Sequence, residues 1–202
     1  YDRLPQGKCR TVLSIHNLGY QGRFHFSFVS HLLGIESRYH HPDCIEYHGD
    51  ANFLKGGIVY ADKLVTVSPT YAREILTAYY GEGLEGILAT RADDLTGILN
   101  GIDTNAFNSA ADPFIPYPYD ASSLSYKKKN KEALIAELGL NLPSDAPLIG
   151  MVTRLTKQKG IDLILRVFDE IIAAGAGFAL IGTGDHAYEN FFRGAAHRTG
   201  GR

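Results

Sequence analysis

With 202 residues, 45% of them hydrophobic and 21% charged, the chain can bury a substantial core and has room for two small domains. A net charge of -2 argues against a nucleic-acid partner, because modules that bind polyanions carry a basic excess or stripe. No apolar stretch reaches the roughly 18 residues that a membrane helix needs, and no signal peptide is visible, so neither a membrane partner nor secretion is expected. The cysteines Cys9 and Cys44 lack metal-ligand spacing and read as free thiols in a cytosol-like compartment.

Short β-branched runs alternate with amphipathic helices, which predicts parallel strands joined by right-handed crossovers. Arg10 to Ile15 reads as a buried strand, followed by the polar loop His16-Asn-Leu-Gly-Tyr-Gln-Gly22. Asp50 to Ala61 reads as a helix and Lys63 to Val67 as the next strand. Ser68-Pro69 is a helix start, Ser as N-cap and Pro at the first helical position, leading into Thr70 to Thr77. Thr96 to Leu99 is a short strand ending in Asn100-Gly-Ile-Asp103.

From Asn105 to Ser125 the composition turns to Ala, Ser, Asp and Pro, with Pro113, Pro116 and Pro118 interrupting any helix, and the stretch reads as an interdomain crossing. A helix over Tyr126 to Leu138 follows. Its lysines (Lys127, Lys128, Lys129, Lys131) read as a solvated face beside Glu132 and Glu137. Pro147 to Val152 is a strand, and Gln158 to Ala174 a helix with Ile161, Ile164, Leu165, Phe168 and Ile172 at helical spacing. Gly177 to Ile181 is a strand that opens into Gly182-Thr-Gly-Asp185, and a last helix starts at about His186.

The run Met151 to Gly160 carries the most chemistry. A strand delivers Arg154 and Lys159 to a helix start, where unpaired N–H groups already favour an anion, so the pattern points to diphosphate. Gly182 and Gly184 lie at the next strand end, where open parallel sheets bind ligands. By themselves they fit a tight turn as well as a nucleotide contact; beside Arg154 and Lys159 they point to the nucleotide. Gly81-Glu-Gly-Leu-Glu-Gly86 matches G-x-G-x-x-G, but it follows a helix, and Glu82 and Glu85 would face a pyrophosphate, so it reads as a turn-rich loop. His16 is either a structural histidine or the tip of a sugar-binding crevice. Asn100 and Asp103 fit an Asx turn and a ligand role equally.

Five blocks together resemble the glycogen and starch synthase family: the His16 loop, Asn52-Phe-Leu-Lys-Gly-Gly-Ile58, Thr66-Val-Ser-Pro-Thr-Tyr-Ala-Arg-Glu-Ile75, Gly97-Ile-Leu-Asn-Gly-Ile-Asp103 and Thr153-Arg-Leu-Thr-Lys-Gln-Lys-Gly160. They stand in the family's order and cover most of the chain. The resemblance, closest to the bacterial-type glycogen synthases, implies an α/β GT-B fold of two Rossmann-like domains with parallel sheets, both incomplete in this chain. Residues 1–104 would be the C-terminal part of the acceptor-side domain, 105–125 the crossing, and 126–202 the first part of the nucleotide-sugar domain. The implied activity is retaining transfer of glucose from ADP-glucose, with UDP-glucose open, to the non-reducing end of an α-1,4-glucan, without cofactor or metal.

By motif, Arg154 and Lys159 resemble the pair that binds the donor diphosphate and assists its departure. His16 resembles the histidine facing the transferred glucose, Asn100 an active-site asparagine, and Gly182 and Gly184 the nucleotide-side wall. The family's N-terminal Lys-x-Gly-Gly-Leu loop and its later Glu-Pro-x-Gly-Leu and Thr-Gly-Gly-Leu segments do not occur, and Thr199-Gly-Gly-Arg202 matches the last only superficially. The expectation is therefore a central fragment lacking part of the active site. Its alternatives are a non-catalytic truncated relative and another retaining GT-B transferase, such as sucrose synthase or a trehalose-making enzyme. A bacterial source would imply the cytoplasm and a plant source the plastid; oligomeric state stays open.

Overall fold

The computed structural model describes residues 9–201. Chain contacts divide it into two compact units, Tyr1–Ile102 and Asp103–Arg202.

The first unit runs β1 (Val12–Ile15), β2 (Arg23–His25), α1 (Phe26–Leu33), β3 (Glu46–Tyr47), β4 (Asp50–Asn52), α2 (Phe53–Tyr60), β5 (Lys63–Thr66), α3 (Pro69–Glu74), α4 (Glu85–Thr90) and β6 (Leu95–Gly97). Strands β1, β5 and β6 form a parallel sheet with β5 in the middle, and Ile15, Thr66 and Gly97 stand level in the register. Its core is Ile15, Leu18, Ile58, Leu64, Ile75, Leu84 and Leu88. Leu88 from α4 and Ile58 from α2 are fully buried, so these helices cover the sheet with the apolar faces their sequences provide. The polar side chain of Thr66 is buried, and its hydroxyl donates to the Ile15 carbonyl at 2.8 Å, tying β5 to β1 beyond the ladder.

Several boundaries differ from the sequence expectation: β1 starts at Val12 rather than Arg10, β5 ends at Thr66 rather than Val67, β6 spans Leu95–Gly97 rather than Thr96 to Leu99, and two helices are shorter than expected. The helix expected from Asp50 begins only at Phe53, because Asp50–Asn52 pairs antiparallel with both β2 and β3. Asn52 then caps the helix, its side-chain oxygen accepting from the Lys55 N–H at 2.9 Å. Helix α3 starts as expected, with the Ser68 hydroxyl accepting from the Tyr71 N–H at 2.9 Å and Pro69 at the first position. It stops at Glu74 rather than Thr77, where the Thr77 hydroxyl donates back to the Glu74 carbonyl at 2.7 Å.

The C-terminal end of α2 is held by one side chain. The Arg91 guanidinium donates to the carbonyls of Ile58 (2.7 Å), Val59 (3.2 Å) and Ala61 (2.8 Å), which the helix itself leaves without partners. It also pairs with Asp94 at 3.0 Å, and Lys63 reaches the other Asp94 oxygen at 2.7 Å. Hydrogen bonds from Lys63 first, then Arg91, hold the Asp94 carboxyl below the usual carboxylate range. Arg91→Ala removes a charged donor from three carbonyls and is expected to destabilise the protein by about 2–3 kcal/mol in urea unfolding. A loss below about 0.5 kcal/mol, the scale of ordinary surface substitutions, would contradict this.

The second unit holds α5 (Ser125–Glu137), β7 (Leu148–Val152), α6 (Ile161–Ala173), β8 (Gly177–Ile181) and α7 (His186–Arg198). Strands β7 and β8 are parallel and pair in full from Leu148 and Gly177 to Val152 and Ile181. The core is Leu155, Ile161, Phe168, Phe192 and Ala195, with the rings of Phe178, Phe191 and Phe192 all within 6 Å of Phe168. Among the described residues, no helix or strand of the fold lies between Gly97 and Ser125. Helix α5 buries none of its residues; its Lys131 donates to the Ala146 carbonyl at 2.9 Å.

Helix α6 corrects the reading of the run Met151 to Gly160. It begins at Ile161, not Gln158, because Lys157–Lys159 forms a 3-10 turn and Gly160 follows in the left-handed region at φ 71°. That conformation suits glycine and breaks the helix before it can include Lys159.

Candidate active site

In the first unit, β1 ends at Ile15, so His16 stands at the carboxyl edge of the parallel sheet, exposed, with Nε2 and the Ser14 hydroxyl 3.2 Å apart. The loop behind it is ordered from within. The Asn17 side chain accepts from the Gly19 N–H at 2.9 Å, and buried Leu18 donates its N–H to the Tyr71 hydroxyl at 3.3 Å. Strand β6 ends level with β1, which puts the exposed Asn100 beyond the same edge of the same sheet, with β5 between the two strands. Asp103 is the first residue of the second unit. Its carboxylate accepts from the N–H groups of Ala106 (2.9 Å) and Asn105 (3.0 Å), which hold it below the usual carboxylate range, so it closes a turn.

A cavity of about 610 Å³ also lies in this unit, between Leu33, Ile35, Tyr39, Ile45, Phe53 and Tyr60. None of the candidate residues lines it.

In the second unit, Arg154, Lys159, Gly182 and Gly184 come to one end of the two-stranded sheet. Beyond Val152 the chain stays beside β8: Thr153 N–H donates to Ile181 O at 3.1 Å and Leu155 N–H to Thr183 O at 2.8 Å. Arg154, exposed, is thus fixed between two consecutive ladder bonds. Lys159, also exposed, sits on the 3-10 turn, where its own N–H donates to Thr156 O at 2.9 Å and Gly160 N–H to Lys157 O at 2.9 Å. Those two donors are spent within the turn, so at this spot an anion would meet side-chain cations before free helix N–H groups.

The two glycines have a packing reason. A Cβ at Gly182 would lie 2.0 Å from Thr153 O, and one at Gly184 would lie 2.2 Å from Leu155 O. Any side chain would force the ladder open. The Gly184 N–H is already engaged, donating to Glu189 Oε1 at 2.9 Å, and Glu189 also pairs with Arg193 at 3.3 Å. Glu189 escaped the sequence reading; a carboxylate in the first turn of the helix after a G-x-G is the signal that could have found it.

Among the described residues, no cluster of three or more His, Cys, Asp or Glu is placed to hold a metal ion. Among the same residues, no helix is long and apolar enough to cross a membrane.

The starch synthase catalytic domain family matches residues 2–90. The glycogen synthase of Roseobacter denitrificans is 44% identical over 194 residues, which is 96% of this chain and 40% of that protein. The glycogen synthase of Geobacillus thermodenitrificans is 48% identical over 183 residues, 91% of this chain and 38% of that protein. The catalytic domain of Starch Synthase IV from Arabidopsis thaliana, bound to ADP and acarbose, superposes with a TM-score of 0.85 at 35% identity, over 94% of this chain and 39% of that one.

The chain belongs to the glycogen and starch synthase family.

Its α/β units with open parallel sheets are of the GT-B type seen in the synthase fold. The chain spans about 40% of the length of the synthases it matches. In this family member the strand-end positions of both units fall inside the matched length, since the similarity to the Roseobacter protein runs over 96% of the chain.

Proposed function

We propose that the chain belongs to a glycogen synthase that transfers glucose, with retention of configuration, from ADP-glucose to the non-reducing end of an α-1,4-glucan. The observation that carries the reading is the 44% identity to a glycogen synthase over nearly the whole chain, with His16, Asn100 and Arg154 just beyond strand ends and Lys159 on the 3-10 turn that follows β7. Arg154 and Lys159 take the donor diphosphate, Arg154 through a planar fork that fits phosphate oxygens and Lys159 as a point charge. As the bond from the anomeric carbon to the diphosphate breaks, its electron pair stays on the departing oxygen. Cations already in place stabilise that growing charge more than they stabilise the bound donor, which lowers the barrier. This assigns charge neutralisation to two side chains, and the reading includes no metal or cofactor.

His16 and Asn100 contact the transferred sugar, and Gly182 and Gly184 keep the nucleotide side of the site free of side chains. The bacterial glycogen synthases among the relatives support a bacterial, cytoplasmic enzyme.

The test is a donor and acceptor panel on the full-length protein. ADP-glucose with a glycogen primer is expected to yield elongated glucan, and fructose or glucose 6-phosphate as acceptor no product. Absence of elongation with every nucleotide sugar would overturn the reading, and disaccharide formation would move the protein to another GT-B activity.

A further inference from the structure

The glycine-rich segment Gly81-Glu-Gly-Leu-Glu-Gly86 has no place in nucleotide binding, and its geometry gives it another one. Glu82 is one of two non-glycine residues at positive φ among those described, at 51°, and Gly83 follows at 80°. A side chain at Gly83 would collide with the Tyr47 hydroxyl, 2.1 Å from where its Cβ would stand. This unfavourable backbone turns the Glu82 carbonyl toward Gln21, whose side-chain amide donates to it at 2.9 Å. The other end of the same amide accepts from the Asn52 side chain at 2.7 Å. Asn52 is fully buried, and its own oxygen caps α2. Two main-chain bonds complete the joint: Leu54 N–H to Gln21 O at 3.0 Å and Phe53 N–H to Gly22 O at 3.2 Å.

The loop that starts at His16 is therefore anchored at three points: the end of β1, the Leu18–Tyr71 contact, and Gln21 locked between a helix cap and a strained turn. We propose that Gln21 is a positioning residue for His16, and that the Gly81–Gly86 segment is the socket that holds it. The inference rests on the reading of His16 as a group facing the transferred sugar. The bridges span 31 and 61 residues of sequence, so the Gln21 amide joins the loop to the start of α2 and to the Gly81–Gly86 turn at once. A reacting group placed about 1 Å wrong can lose a large part of its rate.

The experiment is a double-mutant cycle in the full-length protein. Gln21→Glu keeps the oxygen that accepts from Asn52 and turns the donor facing Glu82 O into a second acceptor, so the core contact stays while the socket contact is lost. It is expected to lower kcat about tenfold, with KM for ADP-glucose within about threefold and the melting temperature near that of the parent. With His16→Ala already in place, Gln21→Glu is expected to add nothing to the loss. Multiplicative losses in the double variant, or an unchanged kcat in the single one, would overturn the proposal. If the parent protein transfers no glucose at all, the functional reading fails first and takes this inference with it, a result distinct from additive losses in an active enzyme.

Discussion

If the proposed function holds, Lys159→Ala in the full-length protein is expected to lower kcat/KM for ADP-glucose about a hundredfold, the loss typical of removing one preorganised donor to developing charge. The reason is local. Lys159 stands on a turn whose main-chain N–H groups at Lys159 and Gly160 are both spent inside the turn. The helix that follows begins two residues later, at Ile161. The macrodipole of an exposed helix is worth about 0.3–1 kcal/mol near its end, while a hydrogen bond to a charged group is worth about 1.5–3 kcal/mol. With the helix start displaced, the side chain carries the effect. The loss should fall mainly on kcat, since the charge on the diphosphate is largest as the bond breaks. Steady-state kinetics with ADP-glucose and a glycogen primer check it; kcat/KM within about threefold of the parent would remove Lys159 from the site.

Gly184→Ala is expected to destabilise the second unit by about 3 kcal/mol or more, or to prevent its folding, with Gly182→Ala close behind. Overpacking by a methyl group normally costs about 1–3 kcal/mol because neighbouring side chains shift. Here the neighbours are the Leu155 and Thr153 carbonyls, 2.2 and 2.0 Å from the new carbon, on two residues whose N–H groups donate across to Thr183 and Ile181. Nothing flexible can yield. Leu155 is also part of the buried core, so displacing it disturbs Ile161 and Phe168. Thermal unfolding of the two variants gives the answer; a melting temperature within about 2 °C of the parent would mean that the ladder is more pliable than its distances imply. The same measurement bears on the role of the glycines, because a purely nucleotide-facing glycine would lose affinity for ADP and leave stability intact.

Elements with local signals were legible in the amino-acid sequence. Gly177 to Ile181 is apolar, short and bounded by glycines, and the strand has those limits. Ser68-Pro69 carries its own cap, and the hydroxyl makes the expected bond. What stayed hidden depends on partners far along the chain. Arg23–His25 has no alternation to mark it as a strand and becomes one only by pairing with Asp50–Asn52. The start of α6 lies at Ile161, where its apolar positions begin, because the polar run before it forms a 3-10 turn over Lys157–Lys159 that ends in the left-handed Gly160. The candidate site divides in the same way. Arg154 and Lys159 stand out as charges after a strand, whereas Gln21, Asn52 and Glu189 look like ordinary polar residues until the contacts across the chain are known.

The two cations differ in how much freedom they bring to a ligand. Arg154 is bracketed by hydrogen bonds from Thr153 and Leu155 into β8, so its Cα is as immobile as the sheet. Lys159 rides on three residues of 3-10 turn that end in a glycine, with four methylenes between its Cα and its charge. Lysine and arginine side chains each carry about 2 kcal/mol of rotamer entropy, so the difference between the two lies in the backbone on which each stands. On the proposed reading, the diphosphate would meet one charge set by the sheet, Arg154, and one set by a short turn, Lys159.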